Sequence, residues 1–92
     1  MMEFVKGENR FFKEDESGKL IAEVTWVPSG ESLVILDHTF VDESLRGQGI
    51  ASELVEKVAD TMRAEGKKIV ATCPFAKAEF ERKPDKYNDI KA

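Results

Sequence analysis

The sequence contains one cysteine and one histidine, Cys73 and His38, among its 92 residues. A single cysteine cannot form a disulfide within the chain, and it cannot build a cysteine-based zinc cluster. We therefore expect no metal site. Because each residue stands alone, both are candidates for chemistry of another kind.

Long apolar runs are also missing. The longest apolar stretch, Leu33 to Leu36, is far shorter than the roughly 20 residues of a membrane-spanning helix, and residues 1–7 lack the apolar core of a signal peptide. The net charge is -4 and the isoelectric point is about 5.0, so no overall positive field attracts nucleic acid or an anionic membrane. We expect a cytoplasmic protein that binds neither. A cationic or amine substrate suits the sign of the charge.

The remaining composition is typical of a folded domain. Hydrophobic residues make up 41% and charged residues 35% of the chain, which is too apolar for a disordered protein. The length suffices for one hydrophobic core. We predict a single domain over residues 1–92.

Four apolar stretches in the first half predict antiparallel strands, because alternation of apolar and polar residues dominates. They cover residues 3–6, 10–13, 19–27 and 32–40. The acidic turn 14–18 ends in glycine and predicts a hairpin between the second and third strands. The unbroken run Leu33 to Leu36 indicates that the fourth strand is central.

The period changes to that of a helix at Ile50. The apolar residues of this helix are Ile50, Ala51, Leu54, Val55, Val58 and Met62, and Gly66 is placed to end it. A buried strand is predicted over 69–73, so strand, helix and strand favour a parallel crossover.

Pro74 suits the first turn of a second helix, with Cys73 near its N-cap and Phe75, Ala78 and Phe80 as core contacts. Residues 83–85 end this helix. The tail 86–92 is interpreted either as a last edge strand or as a frayed end.

The segment from Arg46 to Ala51, which reads Arg46-Gly47-Gln48-Gly49-Ile50-Ala51, opens the first helix. The first backbone N–H groups of a helix have no internal partners, and the helix dipole adds partial positive charge there. Gly47 and Gly49 allow close approach of an anion to the backbone, and Arg46 adds a fork of donors for phosphate oxygens. Two glycines alone equally suit a simple turn, but their position between a strand and an amphipathic helix favours an anion site.

The pattern Arg46-x-x-Gly49-x-Ala51 resembles the acetyl-CoA pyrophosphate signature of the GNAT acetyltransferase superfamily. Two further pieces, Leu36-Asp37-His38-Thr39 and Cys73-Pro74-Phe75-Ala76, resemble a very small subgroup of that superfamily. The resemblance implies a compact α+β GNAT-like fold, with a mixed, mostly antiparallel sheet and two helices. Fuller GNAT enzymes place two helices between their first strands, and residues 6–19 leave no room for them.

The resemblance also implies how acetyl-CoA binds. Its pyrophosphate is expected on Arg46, Gly47, Gln48, Gly49, Ile50 and Ala51. Its pantetheine arm is expected between strands 32–40 and 69–73, which run parallel and splay apart. The thioester then lies near His38 and Cys73.

Each candidate catalytic residue has two interpretations. Cys73 is either a small buried hydrophobe or a thiolate, stabilised by the helix dipole, that carries the acetyl group. His38 is either structural or a general base for the amine or for Cys73. Asp37 is not expected to orient His38, since adjacent strand residues point to opposite faces. Tyr87 either protonates the departing CoA thiolate, as the resemblance implies, or covers the core.

We therefore predict a cytoplasmic acetyl-CoA-binding acetyltransferase that passes the acetyl group to an amine, on a small molecule or a protein, without a metal. The catalytic candidates are Cys73 and His38. The alternative is a non-catalytic module that binds or senses acetyl-CoA.

Overall fold

The structure is a computed structural model that describes residues 3–92; Met1 and Met2, which the predicted domain includes, lie outside the described residues. Five strands form one mixed sheet in the order of the chain. They are β1 (Val5–Gly7), β2 (Arg10–Glu14), β3 (Leu20–Pro28), β4 (Leu33–Val41) and β5 (Lys68–Ala71). The first four pair antiparallel and β5 pairs parallel to β4, which confirms the mixed, mostly antiparallel sheet.

Within residues 3–92 three α-helices accompany the sheet, one more than the sequence predicted. They are α1 (Ile50–Glu65), α2 (Pro74–Arg82) and α3 (Pro84–Tyr87), and a 3₁₀ turn (Glu43–Leu45) precedes α1. The extra helix arises because Pro84 occupies its first turn, where a proline costs no hydrogen bond. None of the helices within residues 3–92 is both long and apolar enough to cross a membrane.

The ends of α1 follow from its two flanking glycines. Gly49 is the N-cap and Gly66 the C-cap, with φ of 74° and 71° in the left-handed region. The amides of Gly66 and Lys67 return to the carbonyls of Arg63 and Met62, which satisfies the last turn as the sequence predicted. Six side chains of the helix are buried: Ile50, Leu54, Val55, Val58, Ala59 and Met62.

The tail is held against α1, so it is neither frayed nor a full strand. Arg63 donates to both oxygens of Asp89 at 2.7 and 2.9 Å, and Lys86 contacts Glu56 at 2.6 Å. Beyond α3 the chain forms one isolated parallel bridge, between Lys91 and Ile69 of β5.

One face of the sheet carries the core and the helices. The residues of the strands that are buried on this helix face are Phe11, Ala22, Val24, Trp26, Val34 and Leu36, and they form one cluster with α1, α2 and Tyr87. On α2 the buried alanine is Ala76, whereas Ala78 is exposed, so the expected core contact of Ala78 was wrong. The period of α2 places position 76, not 78, on the same side as Phe80.

The opposite face of the sheet, here called the open face, is not covered by any helix within residues 3–92. Its side chains alternate with those of the core, so that Val27 pairs with Ile35 and Thr25 pairs with His38. Val27 is 48% exposed there. The fold is therefore two layers, with the helices on one side only.

The one-sided core predicts unequal costs for two truncations. Leu54→Ala removes a fully buried side chain and is expected to destabilise the protein by about 2–5 kcal/mol. Val27→Ala removes a half-exposed side chain and is expected to cost roughly 1 kcal/mol or less. Urea unfolding followed by circular dichroism measures both, and equal losses would contradict the two-layer arrangement.

Candidate functional site

A cleft of about 200 Å³ opens where β4 ends and α1 and α2 begin. It is lined by Val41, Leu45, Arg46, Gly47, Gly49, Ile50, Ala51, Ser52 and Phe75. Five of the six residues predicted to hold the pyrophosphate therefore line one cleft. The sixth, Gln48, is exposed in the same loop and is not among the lining residues.

The backbone at the floor of this cleft offers a row of unused donors. Glu53 is the first residue of α1 whose amide bonds back into the helix, to the carbonyl of Gly49 at 3.1 Å. The amides of residues 47–52 have no acceptor within the described part of the chain. Together with the positive end of the helix dipole, such a row can bind an anion.

Glycine is required in this loop by the backbone. Gly47 and Gly49 have φ of 84° and 74°, a region that other residues enter at a cost. A Cβ atom at either position would meet no protein atom within 4 Å. The space beside the loop is therefore open to a ligand.

Arg46 stands at the mouth of the cleft, at the end of the 3₁₀ turn. Its amide donates to Glu43 at 3.2 Å, and its exposed side chain makes no ion pair within residues 3–92. Asp42 caps the turn by accepting from the hydroxyl and the amide of Ser44, which lowers the pKa of that carboxyl. Asp42 is thus engaged by its own turn, and Arg46 remains available to a phosphate.

The two central strands separate next to the cleft. Pairing between β4 and β5 runs from Leu33 and Lys68 to Leu36 and Ala71 and then stops. The carbonyl of Leu36 accepts from the amides of Thr72 and Cys73 at 3.0 and 3.1 Å, which turns the chain away into α2. The rest of β4 continues to Val41 without β5 beside it, so the expected splaying is confirmed.

Cys73 lies at this separation as the N-cap of α2, where the sequence placed it. Its side chain is only 5% exposed, and its sulfur lies 3.1 Å from the hydroxyl of Thr39. Burial raises the pKa of the thiol. Hydrogen bonds from the Thr39 hydroxyl and from the amides of Ala76 and Phe75 together lower the pKa by more than burial raises it, so the pKa lies below its ordinary value. The environment therefore favours a thiolate.

His38 lies on the other face of the sheet. Its strand partner is Thr25, on the open face, whereas Thr39 pairs with the buried Val24 and points with Cys73 towards the helices. The structure thus brings Cys73 together with Thr39 and not with His38. Sequence reasoning did not single out Thr39, because only the strand register reveals its contact with Cys73.

A β-bulge changes the expectation for Asp37. Trp26 pairs with Leu36 and Thr25 pairs with His38, so Asp37 is the extra residue in β4. Its carboxylate accepts a 2.7 Å hydrogen bond from Thr25, the partner of His38. Asp37 and His38 therefore lie towards the same face, and the strict alternation assumed from the sequence was wrong at this point.

Tyr87 is part of the core rather than of the cleft. It is 1% exposed, and its ring packs on that of Phe80 with centroids 4.9 Å apart. Burial raises its pKa to about 12, with a further contribution from Glu56. The interpretation that it covers the core is the one that the structure supports.

The geometry of the loop, the cleft and the separated strands agrees with comparisons to known proteins. The sequence matches the family described as GCN5-related N-acetyl-transferase over residues 10–90. The chain belongs to this family. A comparison with curated proteins finds no match.

Solved structures give the same result. A GCN5-like protein from Staphylococcus aureus is 34% identical, with a TM-score of 0.81, over 98% of this chain and 87% of the other. An acetyltransferase from Bacillus cereus is 26% identical, with a TM-score of 0.63, over 89% of this chain and 56% of the other. A GNAT family N-acetyltransferase from Escherichia coli, solved in complex with CoA, is 28% identical, with a TM-score of 0.59.

The match to the Escherichia coli enzyme covers 67% of this chain and only 38% of the enzyme. The chain therefore spans 56% of the Bacillus cereus protein and 38% of the Escherichia coli enzyme. The GNAT fold predicted from the sequence is confirmed. The activity of the longer proteins does not follow from the shared part alone.

The contact between Thr39 and Cys73 predicts the direction of a pKa change. Thr39→Val removes the hydroxyl that stabilises the thiolate, so the pKa of Cys73 should rise and the thiolate should form only at higher pH. The ultraviolet absorbance of the thiolate, followed as a function of pH, measures this pKa. Thr72→Val is the matched control, because the Thr72 hydroxyl bonds to the carbonyl of Leu36 and not to the sulfur. An equal change in both variants would contradict the assigned role of Thr39.

Proposed function

We propose that this protein binds acetyl-CoA and transfers its acetyl group to an amine. The observation that carries the proposal is the row of unpartnered amides at residues 47–52, which opens into the cleft. The presence of CoA in the related Escherichia coli enzyme supports it. In this proposal residues 1–92 form one domain, the protein is located in the cytoplasm, and the reaction requires no metal.

In this proposal the pyrophosphate accepts hydrogen bonds from the amides of residues 47–52, and Arg46 supplies a second, charged contact. The pantetheine arm runs from the cleft along residues 37–41 of β4. Those residues have no strand partner on the β5 side within residues 3–92. Their backbone groups, apart from the Thr39 amide beside the Cys73 sulfur, can therefore pair with the amides of the arm. The thioester then reaches the end of the paired segment, near Leu36 and Cys73.

Two routes carry the acetyl group onward. In direct transfer, the amine nitrogen attacks the thioester carbonyl, the carbon–sulfur bond breaks, CoA leaves as a thiolate and His38 accepts the proton of the amine. In the covalent route, the thiolate of Cys73 first takes the acetyl group and releases the CoA thiolate, and the amine then displaces Cys73. In either route His38 accepts the proton of the amine, since His38 lies on the open face, away from Cys73.

A non-catalytic acetyl-CoA-binding module is the second candidate. It is favoured by the small exposed fraction of Cys73, 5%, which limits access of an acceptor to the sulfur. Binding is common to both candidates, so a covalent intermediate or a product distinguishes them.

The site predicts a strong effect of Gly49→Glu on CoA affinity. The variant adds a carboxylate where the pyrophosphate is expected and strains a backbone with φ of 74°, so affinity should fall by about 100-fold. Isothermal titration calorimetry with CoA and acetyl-CoA measures it.

Gly30→Glu is the matched control, since Gly30 has φ of 77° and equally open surroundings, but lies in the turn between β3 and β4. Arg46→Ala should weaken binding less, by about tenfold, because the backbone donors remain. Unchanged affinity in Gly49→Glu would remove the proposed site.

The covalent route predicts an acetyl group on Cys73 after incubation with acetyl-CoA. The expected product is protein that carries one acetyl unit. Hydroxylamine should release this unit, as it does a thioester, and the Cys73→Ala variant should not carry it. Mass spectrometry of the intact protein measures it. If the amine is acetylated but Cys73 carries no adduct, the result supports direct transfer. If acetyl-CoA binds but neither an adduct nor an acetylated amine forms, the result favours the non-catalytic module.

A further inference from the structure

The open face of the sheet carries apolar side chains although no helix within residues 3–92 covers it. Two mainly apolar rows cross it at the registers of the strand pairs: Val27, Ile35 and Val70 in one row, and Val5, Phe12, Glu23 and Phe40 in the other. Glu23 is the charged member of the second row and pairs with Arg10. Val5 is 57% and Val27 48% exposed, and the other four apolar side chains are partly exposed. Neighbouring apolar side chains that stay partly exposed on one face are a feature of interaction sites.

A polar row lies between the two apolar rows. It consists of Arg10, Thr25 and His38, which are strand partners, with the bulged Asp37 beside them. This row crosses β4 just past Leu36, where β4 loses β5. The polar centre of the open face is therefore adjacent to the proposed position of the thioester.

The charges of this polar centre leave one carboxylate available. Arg10 is neutralised by Glu23 at 2.7 Å, and its guanidinium stacks 3.8 Å from the centre of the Phe12 ring. Asp37 uses one oxygen for Thr25 and has no other hydrogen bond or ion pair within residues 3–92. Its second oxygen can accept from an ammonium group, and His38 follows it in the strand.

A second copy of this chain is a poor occupant of the open face. The strands present roughly 500 Å² of face, estimated from their spacing and rise, against about 800 Å² per partner in a standard interface. A symmetric pair centred on this face would also bury the charged polar centres of both copies, and desolvation of charged groups is costly.

We propose that the open face is the acceptor site and that it takes a polypeptide whose primary ammonium binds Asp37 while its flanking apolar residues cover the rows of Val27 and Phe12. This inference rests on the proposed function for the chemistry of the acceptor. Mainly apolar rows on both sides of the available Asp37 carboxylate suit an amine embedded in a chain with apolar side chains. A small polyamine would leave both rows exposed to water.

The test uses peptides of defined composition with the protein saturated with acetyl-CoA when products are measured and with CoA when docking is measured. One pool contains capped pentapeptides with lysine at the centre and mixed residues at the four flanking positions. A second pool has a free N-terminus and no lysine, so the two pools separate a side-chain amine from an N-terminal amine. Capped lysine amide supplies the amine without flanks, and norleucine in place of lysine supplies the flanks without the amine.

Two readouts follow binding and chemistry independently. Methyl chemical shifts of Val27, Ile35 and Val70 report docking on the open face, and mass spectrometry reports acetylated products. One amine-bearing pool is expected to shift these methyl groups and to have a KM at least tenfold below that of capped lysine amide. Peptides with apolar flanks should be enriched among its products.

Variants locate the contact. Asp37→Asn keeps the oxygen that accepts from Thr25 but removes the charge, so the KM for the peptide pool should rise about tenfold, and the KM for capped lysine amide should change in the same direction. Val27→Lys should also weaken binding of the peptide. Ala64→Lys places the same charge on an exposed position of α1, on the other side of the molecule, and should have no effect.

The outcomes separate this inference from the proposed function. Methyl shifts without any acetylated product retain the docking surface but overturn the transferase. Acetylation of capped lysine amide and of both pools with equal KM, and without methyl shifts, retains the transferase and overturns this acceptor site. A dimer that buries the open face in sedimentation experiments also overturns it.

Discussion

Strand β4 has two neighbours as far as Leu36 and one neighbour beyond it. This change results from the carbonyl of Leu36, which accepts from both Thr72 and Cys73 and directs the chain into α2. It leaves the second half of β4 with unused backbone groups on one side. Because α1 begins at the end of the same strand, its unpartnered amides lie at the mouth of the gap. The cleft and the position of Cys73 both depend on this separation.

The second constraint is that one layer of helices must cover the whole core. The core residues of the sheet lie on one face, and Tyr87 and Ile90 of the tail complete that cluster, next to the ion pair between Arg63 and Asp89. The protein thereby folds without the two helices that fuller GNAT enzymes insert between their first strands. The consequence is a sheet whose other face remains in contact with solvent. Cys73 and His38 accordingly belong to different environments, one shielded by Thr39 and the helices and the other exposed on the open face.

Much of this arrangement was predictable from the sequence because it rests on local patterns. The apolar period from Ile50 to Met62, the two glycines at the ends of α1 and the unbroken run in β4 each determine one element, and each was found where predicted. The bulge at Asp37 was not predictable, since it depends on pairing with β3 and no glycine marks it. The contact of Thr39 with Cys73 follows from that bulge. Helix α3 was missed because four residues are too few for a helical period to show.

The most direct test of the central claim is a titration of the isotopically labelled protein with CoA, followed by the amide resonances of the backbone. The account predicts that the largest shifts occur at residues 47–52 and along residues 37–41 of β4, where the donors and acceptors are unpaired. Large shifts confined to other parts of the chain, or none at saturating CoA, would contradict it.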